Sequence, residues 1–163
     1  MKSSSWFTRF AKGSARAESK EAALRILVVE DNPVNSLVVV RVLEKHGHSA
    51  WAVTSGAETL ACLNRQRFDA VLMDIQMPDI DGFEVTRQIR KSEGTERRVP
   101  VIATTGHALE GDRERCLASG MDEYLTKPIQ FDELFAALER VTHQSTPSRR
   151  DETATLPEPA EAR

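Results

Sequence analysis

With 163 residues, 40% of them apolar and 29% charged, and a net charge of −3, the chain falls in the ordinary soluble globular class and has room for one domain core and little more. The charge is uneven: residues 1–22 hold five basic against two acidic residues, 144–163 hold three arginines against four acids, and the middle is acidic, which argues against a nucleic-acid surface there. No apolar run approaches the roughly 18–20 residues that span a bilayer, and the N-terminus lacks a continuous signal-peptide core, so no membrane span is expected.

Strand and helix signals alternate along the chain. Ile26-Leu27-Val28-Val29 is a run of branched aliphatics that ends in Glu30-Asp31, and such a run reads as a parallel strand buried on both faces. Asn32 suits an N-cap with Pro33 at the first helical position, opening a helix from Pro33 to Lys45 with apolar residues at Val34, Leu37, Val38 and Val42 and a stop at Gly47. A short strand, Ser49 to Val53, leads to a helix from Ala57 to Gln66. Ala70-Val71-Leu72-Met73 forms the third strand and runs into Asp74. The dense turn signal Pro78-Asp79-Ile80-Asp81-Gly82 follows, then a third helix around Phe83, Val85 and Ile89.

Strand four is predicted over about Val99 to Thr104, a fourth helix over about Leu109 to Ser119 with a stop at Gly120, and strand five over about Glu123 to Leu125, leading into Lys127. The last helix is predicted from Ile129 to Thr142. Five βα units with short connections imply an α/β fold with a single five-stranded parallel sheet and helices on both faces, because parallel strands need right-handed crossovers. The domain is bounded at 23–143, between a basic segment, 1–22, and a tail, 144–163, that read as poorly ordered. Trp6, Phe7 and Phe10 among Arg9 and Lys12 allow two readings, a frayed end or a short amphipathic contact segment. Cys62 and Cys116 fall in helical segments without CxxC or histidine spacing, which reads as buried, reduced thiols and suits the cytoplasm.

Four of the strands end in polar groups: Glu30-Asp31, Asp74, Thr104-Thr105 and Lys127. In an open α/β sheet ligands bind in the crevice outside those strand ends. Carboxylates, a hydroxyl and a lysine meeting there are the parts of a metal-assisted phosphoryl site.

Five blocks carry a resemblance to a known family. Val28-Val29-Glu30-Asp31-Asn32, Leu72-Met73-Asp74-Ile75-Gln76-Met77-Pro78, Asp81-Gly82, Thr105-Gly106-His107-Ala108 and Leu125-Thr126-Lys127-Pro128 resemble, in order, the signature of response-regulator receiver domains, with the flavour of the receivers of hybrid sensor histidine kinases. Any one block is weak; five at the expected intervals over about residues 24–142 are specific. The resemblance implies a flavodoxin-like (βα)5 fold with strand order 2-1-3-4-5, a cis peptide at Lys127-Pro128, and a phosphoacceptor module of a two-component phosphorelay rather than an enzyme.

With that order, Asp31, Asp74, Thr105 and Lys127 would line neighbouring strand tips about 4.8 Å apart. Asp74 becomes the nucleophile for a phosphoryl group carried on a histidine of a sensor kinase or a histidine phosphotransfer protein. Glu30, Asp31 and Asp74 could not sit together bare, so a hard divalent cation is implied, and magnesium fits best. It would take oxygens from Asp31, Asp74 and the Gln76 main-chain carbonyl, with Glu30 acting through water. Lys127 and the Thr105 hydroxyl would pair with phosphoryl oxygens. Thr104 competes with Thr105 for the hydroxyl role; the spacing to Lys127 and the family pattern favour Thr105. Tyr124 is either a core aromatic or, by the resemblance, the switch aromatic that changes rotamer with Thr105, and His107 would gate water at the mouth of the site.

Two other classes compete with this reading. A metal-dependent aspartyl-phosphate phosphohydrolase would place a second aspartate two residues after the nucleophile, where this chain has Gln76. A pseudo-receiver would bind partners without chemistry, yet every reactive group is present. No helix-turn-helix or second catalytic domain fits in the flanks, so output is expected through a downstream protein partner or by phosphate relay.

Overall fold

The structure is a computed structural model that describes residues 23–78, 81–94, 98–106 and 111–144. The elements follow in strict alternation: β1 (Arg25–Val29), α1 (Pro33–Lys45), β2 (Ser49–Val53), α2 (Gly56–Arg65), β3 (Ala70–Asp74), α3 (Gly82–Ser92), β4 (Val101–Thr105), α4 (Asp112–Ala118), β5 (Glu123–Thr126) and α5 (Phe131–Gln144). The strands form one parallel sheet in the order β2-β1-β3-β4-β5, the flavodoxin-like order that the resemblance implies. No helix among the described residues is long and apolar enough to cross a membrane.

Successive strand residues point to opposite faces, and the two cores divide accordingly. Leu27, Val29, Val71, Met73, Val101 and Ala103 join Cys62, Val85, Ile89 and Cys116, contributed by α2, α3 and α4. Ile26, Val28, Ala70, Leu72, Ile102 and Leu125 join Val40, Leu43, Leu134 and Leu138 from α1 and α5. Both faces are therefore dry, which is why β1, β3 and β4 read as unbroken apolar runs rather than alternating ones. The two cysteines are free and buried. Burial raises both thiol pKa values, with Glu58 beside Cys62 and Asp112 beside Cys116 pushing the same way.

Some element edges move. The β4 strand begins at Val101 rather than at Val99, because Pro100 has no N–H to give the ladder; α5 begins at Phe131 rather than Ile129, which packs against the α1–α5 core. In α1 the sheet-facing residues are Ser36, Val39, Val40 and Leu43, whereas Val34, Leu37 and Val38 stand 66%, 49% and 48% exposed. The helix carries two apolar stripes at helical spacing, and only docking on β1 and β2 selects the buried one. His107, Leu109, Trp6, Phe7 and Phe10 lie outside the described residues, as do the segments 1–22 and 145–163.

Candidate functional site

At the carboxyl end of the sheet, β1 and β3 are adjacent, with Val29 level with Met73, so Glu30 leaves β1 level with Asp74. Both are buried, at 6% and 2% exposure; Asp31 next to them is exposed. Carboxylate oxygens of Glu30, Asp31 and Asp74 all lie within 4.8 Å of one another. Three hard oxygen donors held this closely, with no thiolate or imidazole joining the cluster among the described residues, match magnesium or calcium rather than a softer metal.

Local backbone sets each acid. Asn32 caps α1 by accepting from the Val34 and Asn35 N–H groups at 2.9 and 3.3 Å, as its side chain and Pro33 predict. Its own N–H donates to Glu30 Oε1 at 3.2 Å, and the Asn35 side-chain amide donates to the same oxygen at 3.4 Å. The first turn of α1 thus orients Glu30, a contribution of Asn35 that the sequence reading missed; its place one turn into a helix that starts beside an acid was the available signal. Asp74 Oδ1 accepts from the Gln76 N–H at 2.8 Å. Gly82 opens α3 directly against the strand end: a Cβ there would come within 2.6 Å of the Asp74 carbonyl oxygen and 2.9 Å of Ile75 Cα. Read in sequence as a turn former, Gly82 is required because no side chain fits between the helix and the backbone of Asp74.

From the other side, Lys127 reaches across two strands. Its ammonium donates to Asp74 Oδ2 and to Glu30 Oε2, each at 2.7 Å, and its own N–H donates to the Thr105 carbonyl at 2.7 Å. Burial alone would lower the lysine pKa, but the hydrogen bonds and charges of Asp74 and Glu30 outweigh it and hold it above the ordinary value. Lys127 is therefore a cation at neutral pH. The peptide between Lys127 and Pro128 is cis.

Thr104 is level with Asp74 in the β3–β4 register, and Thr105 is level with Thr126; both threonines are buried. Tyr124 is level with Ala103 and packs against the core formed with α2, α3 and α4. By strand alternation Thr105, two residues beyond Ala103, shares that face with Tyr124, while Thr104 points to the other. Partial burial, then Asp112 and Cys116, raise the Tyr124 pKa above its ordinary value. The structure thus gathers Glu30, Asp31, Asp74 and Lys127 into one cluster and sets Thr105 and Tyr124 on a common face beside it.

A parallel sheet with helices on both faces and three carboxylates gathered at the carboxyl ends of its strands defines the class: a flavodoxin-like α/β domain with an acidic site suited to a hard divalent cation. Within it, residues 26–139 match the response regulator receiver domain, and the chain belongs to that family: it is a receiver domain of two-component signalling, a signalling module. It is similar to the transcriptional regulatory protein TcrA of Mycobacterium tuberculosis, 38% identical over 138 residues that cover 83% of this chain and 53% of that protein. The chain therefore spans about half the length of that curated relative. Among solved structures it resembles the receiver domain of the sensor histidine kinase PA1611 of Pseudomonas aeruginosa PAO1, which carries a magnesium ion coordinated in its active-site cleft. The identity is 45% and the TM-score 0.67, covering 75% of this chain and 99% of that one. It also resembles the receiver domain of the Saccharomyces cerevisiae response regulator Ssk1, crystallised with the histidine phosphotransfer protein Ypd1, at 26% identity and TM-score 0.68, covering 76% of this chain and 92% of that one.

Proposed function

We propose that this domain, bounded at about 23–143, accepts a phosphoryl group on Asp74 from a phosphohistidine of a sensor kinase or histidine phosphotransfer protein in the cytoplasm, and signals through a switched protein-binding surface. The observation that carries this reading is the cluster itself. Formally, three carboxylates within 4.8 Å face one ammonium, Lys127, at 2.7 Å from two of them. This leaves a surplus of negative charge that suits a divalent cation and would otherwise repel a phosphoryl group. Glu30, Asp31, Asp74 and the Gln76 main-chain carbonyl are the groups that would hold magnesium, which supplies charge neutralisation and orientation of the phosphoryl oxygens when bound.

The remaining work falls to the chain's own groups. An Asp74 carboxylate oxygen forms the new P–O bond as the P–N bond to histidine breaks, and the leaving imidazole nitrogen takes a proton from water; the product is an acyl phosphate. Lys127, paired in the resting state with Asp74 and Glu30, is placed to transfer one of its N–H donors to a phosphoryl oxygen. Thr105 supplies a hydroxyl to another, and its shift makes room for Tyr124, which shares its face, to rotate inward. The altered surface is then that of α4, β5 and α5. The exposed stripe of Val34, Leu37 and Val38 on α1, which begins beside the acids, suits a partner that brings its histidine to Asp74 on an apolar helix face. Transfer within a Ypd1-like pair is the kind of partnership expected.

Incubation with an acyl phosphate and magnesium tests the reading. One base-labile label per chain is expected, lost to background in Asp74→Asn, while Thr105→Ala keeps the label yet shows much smaller NMR shifts across α4, β5 and α5. Label persisting at wild-type yield in Asp74→Asn removes Asp74 from the role, and a Thr105→Ala spectrum matching the phosphorylated wild type removes Thr105 from the switch.

A further inference from the structure

At the opposite end of the sheet from Asp74, one arginine holds three chain segments together. Arg90, near the end of α3, has a side chain only 15% exposed and uses every guanidinium nitrogen. Nε donates to the Gly120 carbonyl, Nη1 to the Glu93 carboxylate and the Val99 carbonyl, and Nη2 to Asp122 Oδ2, each at 2.8 Å. Both acids are bound in turn to the main chain leading into β4: Glu93 Oε1 accepts from the Val99 N–H at 2.6 Å and Asp122 Oδ2 from the Val101 N–H at 2.8 Å. Arg98 closes the outer side on the Gly120 carbonyl and Asp122 Oδ1, at 2.7 and 3.0 Å. Gly120, at φ +97°, leaves room for this packing, since a Cβ there would lie 3.0 Å from Arg90 Cγ. The start of β4 and the turn from α4 into β5 are thereby fixed to α3 by charge-assisted bonds in a planar fork that an ammonium could not reproduce.

We infer that Arg90 is the fixed pivot of the switch: a positioning residue that pins the amino ends of β4 and β5, so that movement driven from Asp74 is confined to their carboxyl ends. The inference rests on the phosphoacceptor reading of Asp74. Thr105 and Lys127 leave the far ends of the same two strands, about 13 Å along β4 from Val101 at the usual rise per residue. A strand free at both ends could answer a phosphoryl group by sliding in register. One held by Arg90 can answer only by local bending and rotamer change near Thr105 and Tyr124, which keeps the response discrete.

NMR of the full chain, observing amides and arginine Nε–H groups before and after acyl phosphate with magnesium, tests the pivot in the wild type, in Arg90→Lys and in Asp122→Asn. In the wild type the Arg90 Nε–H exchanges slowly and keeps its shift in both states while the Thr105, Leu125 and Lys127 amides move. In Arg90→Lys, Asp74 takes label within about two-fold of the wild-type rate, the Val101 and Asp122 amides exchange at least about ten-fold faster, and the phosphorylation shifts spread to them. Asp122→Asn, nearly isosteric, follows the same pattern at smaller amplitude and carries the test if Arg90→Lys does not fold. An Arg90 Nε–H that shifts as far as the Thr105 amide, or Val101 and Asp122 exchange unchanged in both variants, overturns the pivot. A wild-type chain that takes no label overturns the phosphoacceptor reading and the pivot with it, while slow exchange in the untreated protein still reads the clamp by itself.

Discussion

Charge is arranged differently at the two ends of the sheet. At the amino ends of β4 and β5, Arg90 and Arg98 meet Glu93 and Asp122, and both carboxylates also accept main-chain N–H groups. Every charge there has an opposite charge and a hydrogen bond, so the cluster acts as a structural fastening. At the carboxyl ends, Glu30 and Asp74 share Lys127, and Asp31 adds a third carboxylate within 4.8 Å of theirs. Charges gathered without full compensation cost stability, and a fold keeps them where binding or chemistry uses them. The balanced end resists change, and the unbalanced end invites a cation and, on the proposed function, a phosphoryl group.

Stability separates the two ends most strongly. Asp122→Ala removes one partner from a partly buried network and is expected to lower unfolding free energy by about 2 kcal/mol in denaturant titration. Asp31→Ala removes one of three neighbouring like charges at an exposed position and is expected to change it by less than about 0.5 kcal/mol or to raise it. Equal losses would break the comparison. Metal affinity should sort the same residues in reverse. By calorimetric titration, Asp31→Asn weakens magnesium binding about ten-fold, near 1.4 kcal/mol, through loss of one hard anionic ligand, and Asp122→Asn leaves it unchanged. A magnesium constant unmoved by Asp31→Asn would take Asp31 out of the site.

The smallest effect concerns Tyr124, the only tyrosine in the chain, so that ultraviolet titration reads it directly. Its pKa is raised by partial burial and by Asp112 and Cys116, and the folded phenol therefore keeps its proton to higher pH than the unfolded one. The sign follows: this contribution to stability is whole below the ordinary tyrosine value and is lost as pH rises through the folded value. Asp112→Asn should bring the midpoint back toward ordinary, and a midpoint indifferent to that change would place Asp112 away from the phenol.

Much of the fold was legible because its signals are local. Asn32 and Pro33 start α1 where capping chemistry predicts, and the aliphatic runs mark strands that are dry on both faces. The strand order was supplied by the resemblance, since alternation alone does not say which strands are neighbours. In α1, apolarity picked out Val34, Leu37, Val38 and Val42, of which the first three are exposed and Val42 is half-buried. A helix with two apolar stripes has no means within its own sequence of stating which one will meet a sheet.

The candidate site divides along the same line. Sequence by itself determined the inventory: carboxylates, hydroxyls and a lysine at strand ends, because strand and turn signals are short-range and the polar residue after each run is simply read. Only the tertiary structure decided the pairings. Lys127 lies 97 residues from Glu30 and 53 from Asp74, and Arg90 lies 32 residues from Asp122. Their meeting depends on the order and register of strands folded from distant parts of the chain. The need for glycine at position 82 was decided there too, for it arises from the close approach of α3 to the backbone of Asp74, a distance set by packing rather than by any neighbour in sequence.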